Sequence, residues 1–287
     1  MSHELSDLSW PQAAERLREA LLVIVPFGAT EQHGLHLGVG TDWILAQDIA
    51  KKVSQRTGTL LLPTMPYGVS GHHSDFPGTI TLTTETFQKV VMEILDNLSG
   101  YGIKKIVFIN GHGGNLAALS EAARHAREQH KMLCAICMWW DTLANELVLG
   151  QPAEAHAGYA ETALMMSARR QAVRLQYAVL SPTKQVDGDI NIQRAGLVEF
   201  KGGLARVILK TADVSDTGSM TEAAPSHAPG TADYSKVTDR LADTLTEKVV
   251  QWTCEFVNAF SKFSIPEPHV TVEEAMKELG HLRDSHH

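Results

Sequence analysis

The sequence predicts an α/β protein of three layers, with a central and mostly parallel β-sheet flanked by helices. Two observations carry this reading. Apolar runs of strand length, such as Leu21 to Val25 and Ile106 to Ile109, alternate along the chain with longer amphipathic stretches. That β-α-β-α order builds a parallel sheet with right-handed crossovers and helices on its faces. The second observation is size: 287 residues, 44% of them hydrophobic, suffice for one large core. No repeat, low-complexity tract or linker divides the chain, so a single domain over 1–287 is expected.

Taken in order, helical periodicity over Pro11 to Ala20 precedes a first strand, Leu21 to Pro26. A helix from about Asp42 to Arg56 follows the loop behind that strand, and Thr59 to Pro63 reads as the second strand. Tyr67 to Gly78 is a long loop rich in glycine and histidine, and loops of that length are often functional. Thr86 to Gly100 is an amphipathic helix and Lys105 to Asn110 the third strand. Leu116 to His130 is a helix that opens at a glycine-rich turn, and Met132 to Trp139 is the fourth strand. Beyond it lie a helix over Glu161 to Arg170, an irregular stretch from Ser181 to Gly203 and a strand at Ala205 to Lys210. Asp216 to Gly230, rich in Gly, Pro, Ser and Thr, reads as a loop before a last helix from about Ser235 to Phe260.

Composition narrows the partners. A formal net charge of −8 offers no basic surface to a phosphate backbone, so nucleic acid is an unlikely partner and a small molecule the expected one. Cys134 and Cys137 have C-x-x-C spacing, but Ala135 and Ile136 continue an apolar run, so the pair reads as strand residues rather than a redox or zinc site. An odd, sparse cysteine count fits a reducing cytoplasm. The first residues lack a signal-peptide pattern, and no apolar run approaches the ~20 residues of a membrane span. A cytoplasmic protein with no membrane partner is expected.

The chemistry-bearing residues gather where strands end. Glu31-Gln32-His33-Gly34-Leu35-His36, followed by Thr41-Asp42, comes directly after the first strand. In α/β proteins ligands bind beyond the carboxyl ends of strands. Glu31 and His33 alternate by two, so extended backbone projects both to one side. Two more segments have the same layout: Asn110-Gly111-His112-Gly113-Gly114-Asn115, and His156-Ala157-Gly158 leading to Glu161. Carboxylates and imidazoles together suit zinc, manganese or iron, and there are enough of them for two ions. Each residue alone has a plainer reading. Asp42 could be only a helix N-cap, Glu31 a solvated carboxylate, Glu161 a capping glutamate beside a loop histidine. The Asn110 to Asn115 turn could cradle a phosphate, but it is neither G-x-x-x-x-G-K-[ST] nor G-x-G-x-x-G. His72, His73 and Asp75 have metal-compatible side chains, yet Phe76-Pro77-Gly78 behind them suggests a shaped loop, so substrate contact is favoured over ligation. Trp139 and Trp140 are read as packing residues.

These segments, together with Gly28-Ala29-Thr30, Gly40-Thr41-Asp42, Phe76-Pro77-Gly78-Thr79-Ile80 and the Glu161-Thr162 pair, resemble the creatininase (creatinine amidohydrolase) family. The match keeps the family's order through roughly the first 170 residues. The resemblance implies an α/β fold with a central parallel sheet, a binuclear metal site, hydrolysis of a cyclic amide or similar C–N bond, and a homo-oligomer, commonly a hexamer. Carried over by motif, Glu31, His33, Asp42 and His112 are implied metal ligands, with Asp42 bridging, and His156 the implied catalytic acid/base. His36, His72, His73, Asp75 and Asn115 are the residues expected to meet substrate.

One departure bears on the substrate. In true creatininases a glutamate follows the histidine of the third motif by two positions and binds the second metal, whereas here that position is Gly114. Glu161 is the residue implied to complete the shell, counted both as ligand and as part of the catalytic set. The resemblance is therefore to members with the Asn-Gly-His-Gly-Gly-Asn form, which include a deformylase, a hydrolase of an inositol-derived ketone and a peptidase, and it points away from creatinine itself. The Ser219 to Gly230 stretch, with Pro225 and Ser226-His227, only loosely resembles the family's glycine/proline loop. The expected activity is amide hydrolysis dependent on two divalent ions, zinc first, manganese or iron next. Metal-dependent cleavage of an inositol- or sugar-derived ketone, and a non-catalytic binding role, are the alternatives.

Overall fold

The computed structural model describes residues 2–179, 188–194, 196–220, 233–264 and 276–277. Helix α1 (Trp10–Glu19) leads into β1 (Val23–Phe27), α2 (Thr41–Thr57), β2 (Leu60–Leu61), α3 (Thr84–Gly100), β3 (Lys105–Asn110), α4 (Leu116–His130) and β4 (Leu133–Met138). The four strands form one parallel sheet in the order β2-β1-β3-β4. This is the expected α/β architecture.

Side-chain parity along the strands builds the layers. Ile24 of β1 with Val107 and Ile109 of β3 face one core, shared with Ile44, Leu45 and Ile49 of α2. Val23, Val25 and Phe27 with Ile106 and Phe108 face the other, against Phe87, Val91 and Leu95 of α3 and Leu119 of α4. A strand presents alternate residues to opposite faces, and a parallel sheet covered on both sides is apolar at every position. All five residues of β1 are accordingly buried. Phe27 meets the rings of Phe87 and Phe108 edge-on at 5.6 and 5.4 Å, a preferred aromatic geometry.

Helix ends follow local chemistry. The Thr83 hydroxyl accepts from Thr86 N at 3.1 Å and starts α3 two residues before the predicted boundary. Gly58, at φ +73°, closes α2 in the left-handed conformation. The first strand begins at Val23, because Leu21 is 74% exposed. The second strand has only two residues, and Trp139 belongs to a short 3-10 turn (Trp139–Leu143) after β4.

After this turn a hairpin of β5 (Leu147–Val148) and β6 (Gln151–Pro152) leads to α5 (Tyr159–Arg169). The stretch predicted as irregular up to Gly203 holds three antiparallel strands, β7 (Asn191–Arg194), β8 (Leu197–Phe200) and β9 (Gly203–Ala205). Lys201 and Gly202, at φ +49° and +80°, form the two-residue turn between β8 and β9. Consecutive positive φ values match the twist of a tight hairpin, and Lys-Gly-Gly was its signal in the sequence. The strand expected over Ala205 to Lys210 thus ends where it was to begin. A short α6 (Thr211–Val214) and the long α7 (Asp239–Lys262) follow; the Thr238 hydroxyl caps α7, later than the predicted Ser235. Most of the predicted loop from Asp216 to Gly230, including Pro225, Ser226 and His227, lies outside the described residues, as do 181–187.

Helices α2, α5 and α7 contribute to the first core, α1, α3 and α4 to the second. The connection leaving β1 therefore runs to one face and that leaving β3 to the other. β1 and β3 are adjacent, so a crevice opens between their carboxyl ends, the topological switch point at which such sheets bind ligands. Among the described residues no helix is long and apolar enough to cross a membrane.

Candidate metal centre

The loops after β1 and β3 converge at this crevice. Glu31 and His33 come from the first loop, Asp42 from the first turn of α2, His112 from the turn after β3, His156 from the segment before α5 and Glu161 from the first turn of α5. All but His156, which is half-buried, are buried. Asp42 is not the N-cap of α2: Gly40 holds that place, which leaves both Asp42 carboxylate oxygens for the crevice.

The hydrogen bonds of the imidazoles settle which nitrogen faces the centre. His33 Nδ1 lies 3.1 Å from Glu31 O and must donate to it, so Nε2 is the inward atom, 2.9 Å from Asp42 Oδ1 and 3.8 Å from Glu161 Oε1. His112 Nε2 donates to Val69 O at 2.9 Å, which turns Nδ1 inward, 3.2 Å from both Glu31 Oε2 and Asp42 Oδ2. Backbone carbonyls that fix the outer nitrogen are the usual means of orienting metal-ligating histidines. Asp42 thus offers one oxygen to each of two imidazoles. Ligand atoms of Glu31, Asp42 and His112 lie within 4.8 Å of one another, as do those of His33, His156 and Glu161.

Two observations fit this donor set to divalent cations. Glu31 Oε2 and Asp42 Oδ2 are buried, make no other hydrogen bond and share the single His112 Nδ1 at 3.2 Å from each, and two buried anionic oxygens served by one imidazole nitrogen are costly. The donors are imidazole nitrogens and carboxylate oxygens without thiolate, which suits zinc, manganese or iron. The same carboxylates and imidazoles shift one another's proton affinities. Burial disfavours charge on His33, but the Asp42 and Glu161 carboxylates outweigh it and hold its pKa up to about 10. His112 is likewise raised well above its ordinary value, against burial, by Glu31 and Asp42. Glu31 and Asp42 are held down to about 2, the neighbouring imidazoles outweighing burial. Glu161 moves the other way, to about 7, because burial and the other carboxylates disfavour its charge.

Glu161 has two uses. Its Oε2 accepts from Ala157 N at 2.6 Å, the capping role that was the plainer reading, while Oε1 turns toward His33. His156 is fixed from two sides: its carbonyl accepts from Met220 N at 3.0 Å, and its Nε2 lies 2.9 Å from Gln32 O, to which it donates, and 3.0 Å from the Gln32 side-chain Nε2. The inward atom is then Nδ1, 3.9 Å from Glu31 Oε1. Burial and the charge of His33 lower the His156 pKa to about 3, so its ring is neutral near pH 7. Ala157, next in the chain, is fully buried at φ +54°, a conformation rare for a residue with a Cβ and typical of functional loops. The Tyr234 hydroxyl donates to its carbonyl at 2.9 Å.

The remaining candidates divide. His73 is buried with Nε2 3.3 Å from Glu31 Oε1, inside the cluster. His72 is half-buried, its ring 4.1 Å from that of His73 and 5.8 Å from that of His112. His36 and Asn115, expected to meet substrate, are instead fully buried. His36 Nε2 bonds Thr162 Oγ1 at 2.8 Å. Asn115 accepts from Val69 N at 2.9 Å and donates to Gly28 O at 3.0 Å and Asn110 Oδ1 at 3.1 Å, so it ties three loops together. Asp75, also expected at the substrate, is exposed and pairs with Lys210 at 2.9 Å. Cys134 and Cys137 are free, and burial pushes both thiols up to about 12.

Two residues escaped the sequence reading. The Gln32 side chain, inside the first motif, reaches His73 Nδ1 at 2.8 Å and Gly218 O at 3.1 Å, while its Oε1 accepts from Gly34 N at 3.0 Å. Thr211 Oγ1 lies 2.8 Å from His73 Nδ1. Gln32 was legible as part of the motif; Thr211, 138 residues from its partner, carries no local signal.

The family model described as creatininase, creatinine amidohydrolase, matches residues 6–257. A mycofactocin precursor peptide peptidase of Mycolicibacterium smegmatis is 33% identical over 155 residues, 50% of this chain and 57% of that protein. The match thus spans little more than half the length of that relative. A creatinine amidohydrolase of Pseudomonas putida is 29% identical over 201 residues, 62% of this chain and 76% of that protein. A solved creatinine amidohydrolase (creatininase) superposes with a TM-score of 0.70 at 24% identity, covering 92% of this chain and 99% of that one.

Proposed function

Because the chain belongs to the creatininase family, we propose that it is a metal-dependent hydrolase acting on a cyclic amide or another non-peptide C–N bond. The observation that carries this is Asp42, whose two oxygens face separate imidazoles, His33 Nε2 at 2.9 Å and His112 Nδ1 at 3.2 Å. Glu31 and His112 would hold one ion, His33 and Glu161 the other, with Asp42 between them. Zinc is the first candidate, since solved creatininases include a Zn-Zn form, and manganese the next, since they include an Mn form. Bound ions supply Lewis acidity and lower the pKa of a water toward neutrality.

The protein's own groups handle the protons. His156 presents an unprotonated Nδ1 to the crevice, because Nε2–H is held by Gln32 O. It accepts the proton of the attacking water there and returns it to the departing nitrogen, general acid–base work worth about 10²–10⁴-fold. Gln32 Nε2 lies 2.8 Å from His73 Nδ1, 3.0 Å from His156 Nε2 and 3.1 Å from Gly218 O; its donation to His73 Nδ1 leaves the His73 proton on Nε2, which holds Glu31 Oε1 in place. His72, half-buried beside the cluster, is the substrate contact we favour.

Gly114 supports a substrate other than creatinine. A Cβ there would come inside 3.0 Å of Val69 O and His112 Nε2, so this loop has no room for a side chain, let alone a glutamate. Glu161, with Oε1 3.8 Å from His33 Nε2, would supply the missing carboxylate instead. A ketone-ring hydrolase is the second reading, favoured by 32% identity over 107 residues to a 3-dehydro-scyllo-inosose hydrolase of Thermotoga maritima. Product analysis separates the two, because only amide hydrolysis releases an amine. We extend the proposal to a homo-oligomer, expected to be a hexamer, which light scattering tests.

The deciding experiment is elemental analysis of protein purified without chelator, alongside a screen of cyclic amides, formamides and inositol-derived ketones. About two equivalents at this centre, lost in Asp42→Ala together with turnover, support the proposal. Full turnover by metal-free protein would sink it.

A further inference from the structure

A second set of metal-compatible side chains lies on the pair of helices α3 and α4. Asp96 of α3 faces two histidines at the end of α4: its Oδ1 is 2.6 Å from His130 Nε2 and 3.6 Å from His125 Nε2. One ligand atom from each of the three residues lies within 4.8 Å of the other two. The two rings stand 80° apart with centroids at 6.0 Å, so both Nε2 atoms point at one carboxylate oxygen from different directions.

We infer that Asp96, His125 and His130 form a transition-metal site bridging α3 and α4. Two imidazoles and a carboxylate suit a zinc-type ion, with Zn–N and Zn–O distances of about 2.0–2.2 Å. Tetrahedral geometry then needs ligand atoms roughly 3.3 Å apart. The Asp96–His125 pair is already close to that, and the Asp96–His130 pair reaches it by a side-chain rotation that exchanges its hydrogen bond for the ion. Both histidine side chains are partly covered, 29% and 26% exposed, while Asp96 is 49% exposed. Water therefore reaches the fourth position. An ordinary surface ion pair would need only one histidine and contributes little; the second Nε2 aimed at the same oxygen is what an ion explains.

This site is separate from the centre at the strand ends. From Leu116, next to the His112 turn, to His125 and His130 the helix axis runs about 14 and 21 Å at 1.5 Å per residue. No ion can be shared. An ion here ties the last turn of the helix that begins at the His112 loop to its neighbour.

The test is zinc titration of chelator-stripped protein, read by equilibrium dialysis with elemental analysis and by thermal melting. Wild-type protein is expected to bind one equivalent more than the His125→Ala/His130→Ala double variant, and Asp42→Ala to keep that equivalent. His125→Ala alone should weaken it at least tenfold while leaving the zinc-free melting temperature unchanged, since its longer contact to Asp96 is the one a free protein least needs. Unchanged stoichiometry in the double variant, or wild-type affinity in His125→Ala, would overturn the assignment.

Discussion

Replacing Gly114 by alanine is the smallest change that tests how the crevice is built. A Cβ at this position overlaps Val69 O and His112 Nε2, the two ends of a 2.9 Å hydrogen bond. Neither end can yield easily: Val69 N is held by Asn115 Oδ1 at 2.9 Å, and the His112 carbonyl by Asn110 Nδ2 at 2.6 Å. The added methyl therefore breaks the bond that aims His112 Nδ1 at Glu31 and Asp42. Overpacking of this kind costs about 1–3 kcal/mol, and loss of the bond that orients a ligating histidine weakens metal binding by about 10–100-fold. Per kcal/mol a chain of this size loses about 2–4 °C in melting temperature, so a fall of roughly 4–8 °C is expected for a 2 kcal/mol loss. Calorimetric metal titration and thermal melting of Gly114→Ala and wild type measure both effects. Wild-type metal affinity in the variant would refute the claim that the 114 position keeps His112 in place by having no side chain.

Four further outcomes are expected. His156→Ala should retain its metal and lose about 10²–10⁴-fold in kcat, measured by elemental analysis beside steady-state kinetics; loss of metal with turnover would make His156 a ligand instead. Metal binding should release protons at pH 7, because His33 and His112 are held charged in the metal-free protein; apparent affinity then rises with pH up to about 10, by as much as about a hundredfold per unit while two protons leave. Calorimetry in buffers of different ionisation enthalpy counts them, and release of less than about half a proton would contradict the assignment. The same shift has a stability sign: His33 is raised, so its contribution in metal-free protein is full below its unfolded pKa near 6.5 and is lost as pH climbs toward 10, lowering the melting temperature over that window. Asn115→Ala leaves the partly buried Val69 N and the buried Gly28 O unpaired and should cost about 2–4 kcal/mol with KM unchanged, whereas a raised KM at unchanged stability would restore a substrate role.

Much of the site was legible because its residues are neighbours in sequence. Glu31 and His33 share one face of an extended loop, and the glycines around His112 mark a close-packed strand-to-helix turn. The fold was legible for a similar reason, since β1 and the Ile106 to Ile109 run of β3 are apolar at every position and must be covered on both sides. The small antiparallel sheet of β7, β8 and β9 was missed although a Lys-Gly-Gly turn signal stood between Leu197 to Phe200 and Leu204-Ala205, because its strands are only three or four residues long and show little alternation.

By itself the sequence determined the parallel sheet, the order of its helices and the set of carboxylates and imidazoles at the strand ends, because periodicity and motif spacing are local properties of a chain. Only the tertiary structure decided how those side chains are shared. It gave Asp42 an imidazole for each oxygen, set Glu161 to both cap α5 and face His33, and drew His36 and Asn115 into buried hydrogen bonds. It also brought Thr211 to His73 and Asp96 to His125 and His130. Such pairings depend on the side-by-side pairing of β1 and β3 and the packing of helices distant in sequence, and no local pattern records them.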